Sequence, residues 1–253
     1  MNFAETIRAQ DFDRYLAAAF VPQPKRDTYF LLCAFNNELA RARAVASQPM
    51  LAMIRLHWWR EVVEGTRRRH EIAEPLADAL DQGTLHRETL LGMIAAREIE
   101  ADDEVADSET FRSLTAGTAG LFAEAAGRLC DAPEPCLPRL RALGTAYGIA
   151  AQIGNLPALA AAGRCLLPAD LLAQHGLLPE DVIADPARAA PVVAVLAGQA
   201  LSLIAAHGGW LSRAAMPAAL PTVLARGDLR RIARRRLLPD LLGFLASGLI
   251  GRV

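Results

Sequence analysis

Apolar residues recur three and four positions apart along almost the whole of this chain, and no alternating Val/Ile/Thr run reaches strand length. That periodicity confines the fold to helix packed on helix. Prolines punctuate the pattern, often where the first turn of a helix tolerates a missing amide. It predicts helices from Pro24 to about Val45, Pro49 to Glu64, Pro75 to Asp81, Thr84 (as cap) to Glu100, and Ser108 to Leu129. Pro138 leads into a long segment, Pro168 opens a short helix stopped by Gly176, and Pro186 opens one reaching about Arg213. Short helices are expected after Pro217, Asp228 and Pro239. About ten or eleven helices with short connections make one all-α domain over residues 1–253. No fixed repeat is visible, which disfavours a solenoid.

Composition narrows the function classes. A hydrophobic content of 53% supports a sizeable core, and 22% charge excludes intrinsic disorder. The net charge of −1 excludes a globally basic nucleic-acid binder, so no nucleic-acid partner is expected. Cys33, Cys130, Cys136 and Cys165 include no Cys-x-x-Cys pair and no histidine at ligand spacing, which argues against a zinc site or a disulfide scaffold. Glu5, Asp11 and Asp13 interrupt the N-terminal region, so no secretory signal is read and a cytoplasmic location is expected.

Two stretches carry no charge, 142–163 and 189–212. Both exceed the roughly 20 residues that cross a bilayer. Small and polar residues dilute them, and the centre of a large helical protein needs such helices too, which is the favoured reading. Near the C-terminus, Arg226, Arg230, Arg231, Arg234, Arg235 and Arg236 precede an apolar run at 237–246. A basic helix followed by an apolar one suits an anionic membrane surface. The alternative, favoured by the near-neutral chain, is a terminal helix packed on the bundle with its arginines solvated.

Several segments resemble, in order, the squalene/phytoene synthase family. They are DFDRYLAAAFVPQPKRDTYFLLCAFNNELARARAV from residue 11, MIRLHWWREVVEG (53–65) and LGTAYGIAAQIGNLPALAAAGRCLLPADLLAQHGL (143–177). The resemblance implies an isoprenoid synthase-type bundle around a central cavity. Active members join two prenyl diphosphates head to head, with magnesium held by two Asp-rich helical motifs facing each other. The chemistry needs those acids: magnesium neutralises the departing pyrophosphate and is itself held by carboxylate oxygens. Aspartates three or four residues apart share one helix face.

In this chain the first motif falls on Ala40, Arg41 and Ala44, and the second on Asn155, Ala158 and Leu159. Pro157, inside the second, is expected to break or kink its helix. The tyrosines expected before Ala-Gly-Thr-Ala-Gly (116–120) are replaced by Phe111 and Ser113. Asp102-Asp103-Glu104 reads as a solvated acidic linker between helices, with Ser108 as a cap. Glu38, Glu61 and Glu64 read as helix acids paired with Arg41, Arg60 or Arg67. His57 reads as a hydrogen-bonded histidine on a half-buried helix or, second, as a pocket residue. Met50, Met53, Trp58 and Trp59 read as core.

The likeness is nearest to a non-catalytic branch related to the mitochondrial respiratory complex I assembly factor. It is carried by Ala34-Phe35-Asn36-Asn37-Glu38-Leu39-Ala40 and Arg55-Leu56-His57-Trp58-Trp59-Arg60-Glu61, with Tyr147-Gly148 and Leu156-Pro157. The resemblance implies an inactive family member acting as an assembly or interaction factor. Its expected partners are respiratory-complex subunits or assembly proteins, with a peripheral place on the inner membrane. No catalytic residue, metal ligand or cofactor is expected. Asn37, Arg41, Arg55, Trp59, Tyr147 and Arg164 are the candidate cavity residues. Two alternatives stand beside it. One is a working prenyltransferase that clamps diphosphate through Arg41, Arg43, Arg55, Arg60 and Arg164, with magnesium needed if the ordinary chemistry holds. The other is a non-enzymatic isoprenoid or lipid carrier.

Overall fold

A computed structural model describes residues 3–101 and 104–234, with side chains as far as Arg230. The chain opens with α1 (Phe3–Gln10) and α2 (Phe12–Ala17), the latter capped by Asp11, whose carboxylate accepts from the Arg14 amide at 3.2 Å. The long α3 (Arg26–Ala44) and α4 (Pro49–Glu64) follow, α4 beginning on Pro49 and ending at Gly65 with φ 121°. Then come α5 (Ala73–Asp81) and α6 (Arg87–Ala101). Thr84 does not cap α6. Its amide donates to the Ala79 carbonyl at 2.9 Å and closes the turn after α5.

The segment from Ser108 to Leu129 is helical throughout but not uniform. It runs as α7 (Ser108–Thr115), a π-helical turn (Ala116–Gly120) and α8 (Leu121–Leu129). Asp107 caps it, accepting from the Thr110 amide at 2.7 Å. Next is α9 (Leu137–Ala161), a 25-residue helix against which the π turn, α8, α12 (Ala190–His207) and α13 (Met216–Arg234) all pack. Close approach is built from glycine. A methyl on Gly144 would lie 2.4 Å from the Ala119 carbonyl oxygen, and one on Gly117 would lie 2.5 Å from the Ala96 Cβ.

Several local expectations need correction. The helix does not stop at Pro157, and α9 continues to Ala161. Proline removes one amide donor near the helix end, and the surrounding turns carry the helix past it. The helix that starts near Pro186 ends at His207 rather than near Arg213, because Gly208 and Gly209 release it. Pro217 and Asp228 belong to one helix, α13, not two. Two short helices, α10 (Ala169–Gln174) and α11 (Pro179–Ala184), surround Gly176, whose φ of 67° ends the first. Glu104–Val105 and Cys165–Pro168 pair as a short parallel ladder, so part of the acidic linker is tied down. Asp102, Asp103, Pro239 and the apolar run 237–246 lie outside the described residues.

Two apolar clusters fill the bundle. One gathers α1, α3, α4, α5 and α8 around Tyr29, Phe35 and Leu56, and the other gathers α10, α11 and α12 around Ile149, Leu172 and Val182. The helix α9 joins them, with Leu140 and Leu143 in the first and Ile149 and Ile153 in the second. The first half of the 142–163 stretch is buried and agrees with its reading as a core helix, while Gly154, Asn155, Pro157, Ala158 and 161–163 are exposed. The 189–212 stretch does not agree. Only 33% of its most apolar window is buried, and Val195 and Trp210 are exposed. All four cysteines are free thiols.

Candidate functional site

A cavity of about 880 Å³ opens between α2, α3, α6 and the second half of α9. Helical spacing decides what faces it. On α3, Asn36, Ala40, Arg43 and Ala44 fall on one side, while on α9 Tyr147, Ala151, Gln152, Asn155, Ala158 and Leu159 look back at them. Five of the six positions that align with the family's Asp-rich motifs therefore line one space: Ala40, Ala44, Asn155, Ala158 and Leu159. The sixth, Arg41, lies a hundred degrees round the helix from Ala40. Its side chain is half exposed and its guanidinium reaches Glu38 at 3.3 Å.

Of the six candidate residues, Asn37, Tyr147 and Arg164 line this cavity. Arg41, Arg55 and Trp59 line a different one, of about 360 Å³, between α3 and α4. Its histidine is His70, not His57. The His70 ring lies 5.5 Å from Trp58 and 5.4 Å from Trp59, and its Nδ1 accepts from the Ile72 amide at 3.2 Å. The His57 side chain is 71% exposed on the outer side of the half-buried α4, with its Nε2 3.9 Å from the Glu61 carboxylate, and it lines neither cavity, which sets aside the pocket reading. Met50 and Met53 are also exposed, so only Trp59 of that apolar set is core and Trp58 half-buried. Among the helix acids, Glu38 does pair with Arg41, but Glu61 pairs with Arg68 at 2.9 Å, and Arg60 turns to Glu98 at 2.6 Å.

Among the described residues the cavity is lined by three carboxylates, and each has a partner. Asp11 forms an ion pair with Arg14 at 2.5 Å, with both side chains less than a tenth exposed. Asp13 accepts from the Tyr147 hydroxyl at 3.2 Å, and Glu100 pairs with Arg97. The Arg14 guanidinium lies 3.9 Å above the Phe122 ring and 5.3 Å from the Tyr147 ring centroid. Burial opposes its charge, yet the Asp11 carboxylate reverses that and holds its proton more tightly than usual. Burial raises the Asp13 pKa above the ordinary carboxylate value. The Tyr147 hydrogen bond partly opposes the rise, and Asp11 and Asp228 reinforce it. Burial also keeps Tyr147 neutral. Arg43 donates to the carbonyls of Ala101 (3.2 Å) and Ala46 (3.0 Å), and Arg164 donates to the Glu100 carbonyl at 2.7 Å. Among the described residues, no three His, Cys, Asp or Glu side chains converge as metal ligands do.

Arg14, Asp11 and Asp13 escaped the sequence reading. Their signal was present as two acids and an arginine between Phe12, Tyr15 and Leu16, but nothing local shows that Arg14 is buried. Chemically, the site is an amide- and arginine-lined hollow with paired acids. It can hold polar or anionic groups by hydrogen bonding.

A family model described as squalene/phytoene synthase matches residues 7–238. Among curated proteins, the chain is similar to "NADH dehydrogenase (ubiquinone) complex I, assembly factor 6" of Rattus norvegicus. It is 27% identical over 244 residues, covering 91% of this chain and 72% of that protein. The Bos taurus protein of the same name is 26% identical over 243 residues, covering 90% and 72%. Among solved structures, squalene synthase HpnC from Alicyclobacillus acidocaldarius superposes with a TM-score of 0.72 at 18% identity, over 92% of this chain and 94% of that one. A dehydrosqualene synthase in complex with ligand gives 0.68 at 14% identity, over 92% and 85%. At such identities the structural likeness speaks for the fold alone, and it agrees with the family model: this chain has the all-α isoprenoid synthase fold and belongs to the squalene/phytoene synthase family.

Proposed function

We propose that this protein is a non-catalytic member of its family that works as an assembly or interaction factor of the respiratory complex I type, placed peripherally on the membrane that carries the complex. One observation carries the reading. The cavity walls that would present two facing acid motifs present Ala40, Ala44, Asn155, Ala158 and Leu159 instead. Ionisation of a prenyl diphosphate needs divalent cations worth several kcal/mol of charge stabilisation. Methyl and amide groups do not supply the carboxylate oxygens that hold them. The names of the similar rat and bovine proteins support the assembly role.

A diphosphate clamp made of five arginines has less support. Arg41 and Arg55 line the other cavity and Arg60 is paired with Glu98, which leaves Arg43 and Arg164 facing the main cavity. A lipid or isoprenoid tail also has less support, because the alanines and Leu159 of the hollow are interspersed with amides, arginines and acids.

A partner face suits the corner of α3 and α4, where Val45, Met50, Leu51 and Ile54 are exposed together beside Arg41 and Arg55. Two measurements test the proposal. Full-length protein incubated with farnesyl or geranylgeranyl diphosphate and magnesium gives no condensed product, and magnesium-dependent turnover would overturn the non-catalytic reading. Pull-down from the native membrane fraction recovers respiratory-complex subunits, and Ile54→Glu reduces their recovery. Absence of those subunits from the wild-type pull-down removes the assembly role.

A further inference from the structure

The helix α12 is apolar on both of its sides. Val192, Leu196, Ala197, Ala200 and Ile204 pack inward on the bundle. Ala190, Ala194, Val195, Gly198 and Ala206 face outward, with Gln199 and Ser202 as uncharged polar side chains among them. No charged residue occurs between Arg188 and Arg213. The most apolar 18 residues within Pro186–His207 have a mean hydropathy of 1.9. An uncovered charge-free face of this length is uncommon on a protein that meets only water.

A second feature adjoins it. Between α7 with its π turn and α12, with α9 as floor, runs a groove of about 910 Å³. Its walls include Phe111, Ala142, Ile149 and Leu203, and its charged lining among the described residues consists of Arg112 and Arg141. Neither arginine is firmly held. Arg112 forms an exposed pair with Glu109, and Arg141 lies 3.8 Å from Glu124, which Arg128 already holds at 3.1 Å. The exposed Arg112–Glu109 pair contributes little and exchanges readily, and the half-exposed Arg141 is beyond hydrogen-bond distance of Glu124. At the end of α12, Arg139 donates to the carbonyls of His207, Gly208 and Trp210 at 3.2, 2.8 and 3.2 Å. It thereby fixes a turn on which the Trp210 side chain stands 65% exposed.

From these features we infer that the outer face of α12 and the adjoining groove form the surface by which this protein lies on an anionic phospholipid bilayer, with a lipid chain in the groove and its phosphate on Arg112 and Arg141. An apolar face, cationic side chains at its edge and an exposed tryptophan match the layers of a bilayer surface in turn. The volume falls within the roughly 300–1,000 Å³ of ligand clefts. The helix lies along the membrane and does not cross it, because crossing would strip its five inward side chains from the core. This inference rests on the peripheral placement proposed above, and moves the contact from the arginine-rich C-terminal segment to α12.

Flotation of the full-length protein with phosphatidylcholine vesicles, with and without phosphatidylglycerol, tests both. Wild type floats with the anionic vesicles. The pair Arg112→Gln and Arg141→Gln weakens that binding about fivefold per arginine, and Val195→Glu reduces it on any vesicle, both with unchanged melting temperature. Chain-brominated phosphatidylglycerol quenches a component of the fluorescence that Trp210→Phe removes. Wild type that floats with neither vesicle overturns the peripheral placement itself. Wild type that floats while both variants float equally well, or whose Trp210 fluorescence the brominated lipid leaves unquenched, overturns only the assignment to α12. A dimer in solution that Val195→Glu splits, with flotation unchanged, would show that a second copy covers this face and also overturns it.

Discussion

The hydroxyl of Tyr147 on α9 donates to the carboxylate of Asp13 on α2 at 3.2 Å, joining residues 134 positions apart across the wall of the cavity. Asp13 is largely buried and its pKa stands above the ordinary value of 3.8. A carboxyl whose folded-state pKa is raised favours the fold while protonated, and that contribution is lost as pH rises from the unfolded value through the folded one. Asp13→Asn keeps an acceptor for Tyr147 without the buried charge. We expect it to raise the melting temperature at pH 7 and to leave it unchanged below about pH 3.5, where the acid is protonated in both states. Equal melting curves at pH 7 would contradict the burial argument.

The ion pair of Asp11 and Arg14 has almost no exposed surface and sits against Phe122. Removing one partner leaves the other as a buried unpaired charge, at a cost of about 3–5 kcal/mol. Arg14→Ala is therefore expected to destabilise by that amount in chemical denaturation. Replacing both partners, Asp11→Asn with Arg14→Met, should cost much less, since Asn still caps α2 and no charge is then stranded. Equal losses in the single and double variants would show that the effect is packing alone.

Gly144 and Gly154 lie on the same helix and separate packing from propensity. A methyl at Gly144 meets the Ala119 carbonyl oxygen at 2.4 Å and the Ala123 Cβ at 2.6 Å, whereas at Gly154 nothing lies within 4 Å. Gly144→Ala should destabilise by about 1–3 kcal/mol through overpacking. Gly154→Ala should stabilise by roughly 0.5–1 kcal/mol, because alanine loses less backbone freedom in a helix. Thermal melts that move in the same direction would refute the contrast.

Ala40, Ala44 and Asn155 face one cavity, so carboxylates placed there would converge. The triple variant Ala40→Asp, Ala44→Asp, Asn155→Asp is expected to bind magnesium in calorimetry, where the wild type gives no isotherm. A wild type that binds equally well would locate cation binding outside these positions and undercut the non-catalytic reading.

The helical periodicity and the prolines set the sequence of elements, and α4, which starts on Pro49 and ends before Gly65, was legible at its start and approximately at its end. The resemblance, read along the chain, also places the family's acid positions on Ala40 and Asn155, because a motif's register is a property of the chain alone. These are local matters, fixed by backbone conformation and by spacing along one helix. Which residues share a space was not local. Arg41 stands next to Ala40 in sequence, yet a step of a hundred degrees sends it to another cavity with Trp59 and His70. Only packing revealed that Arg14 is buried against Asp11, that the first half of α9 is enclosed and that the outer face of α12 is left bare, because burial depends on which helices arrive from distant parts of the chain. Two uncharged stretches of similar composition thus took opposite positions, one as the axis of the bundle and one as its outer wall.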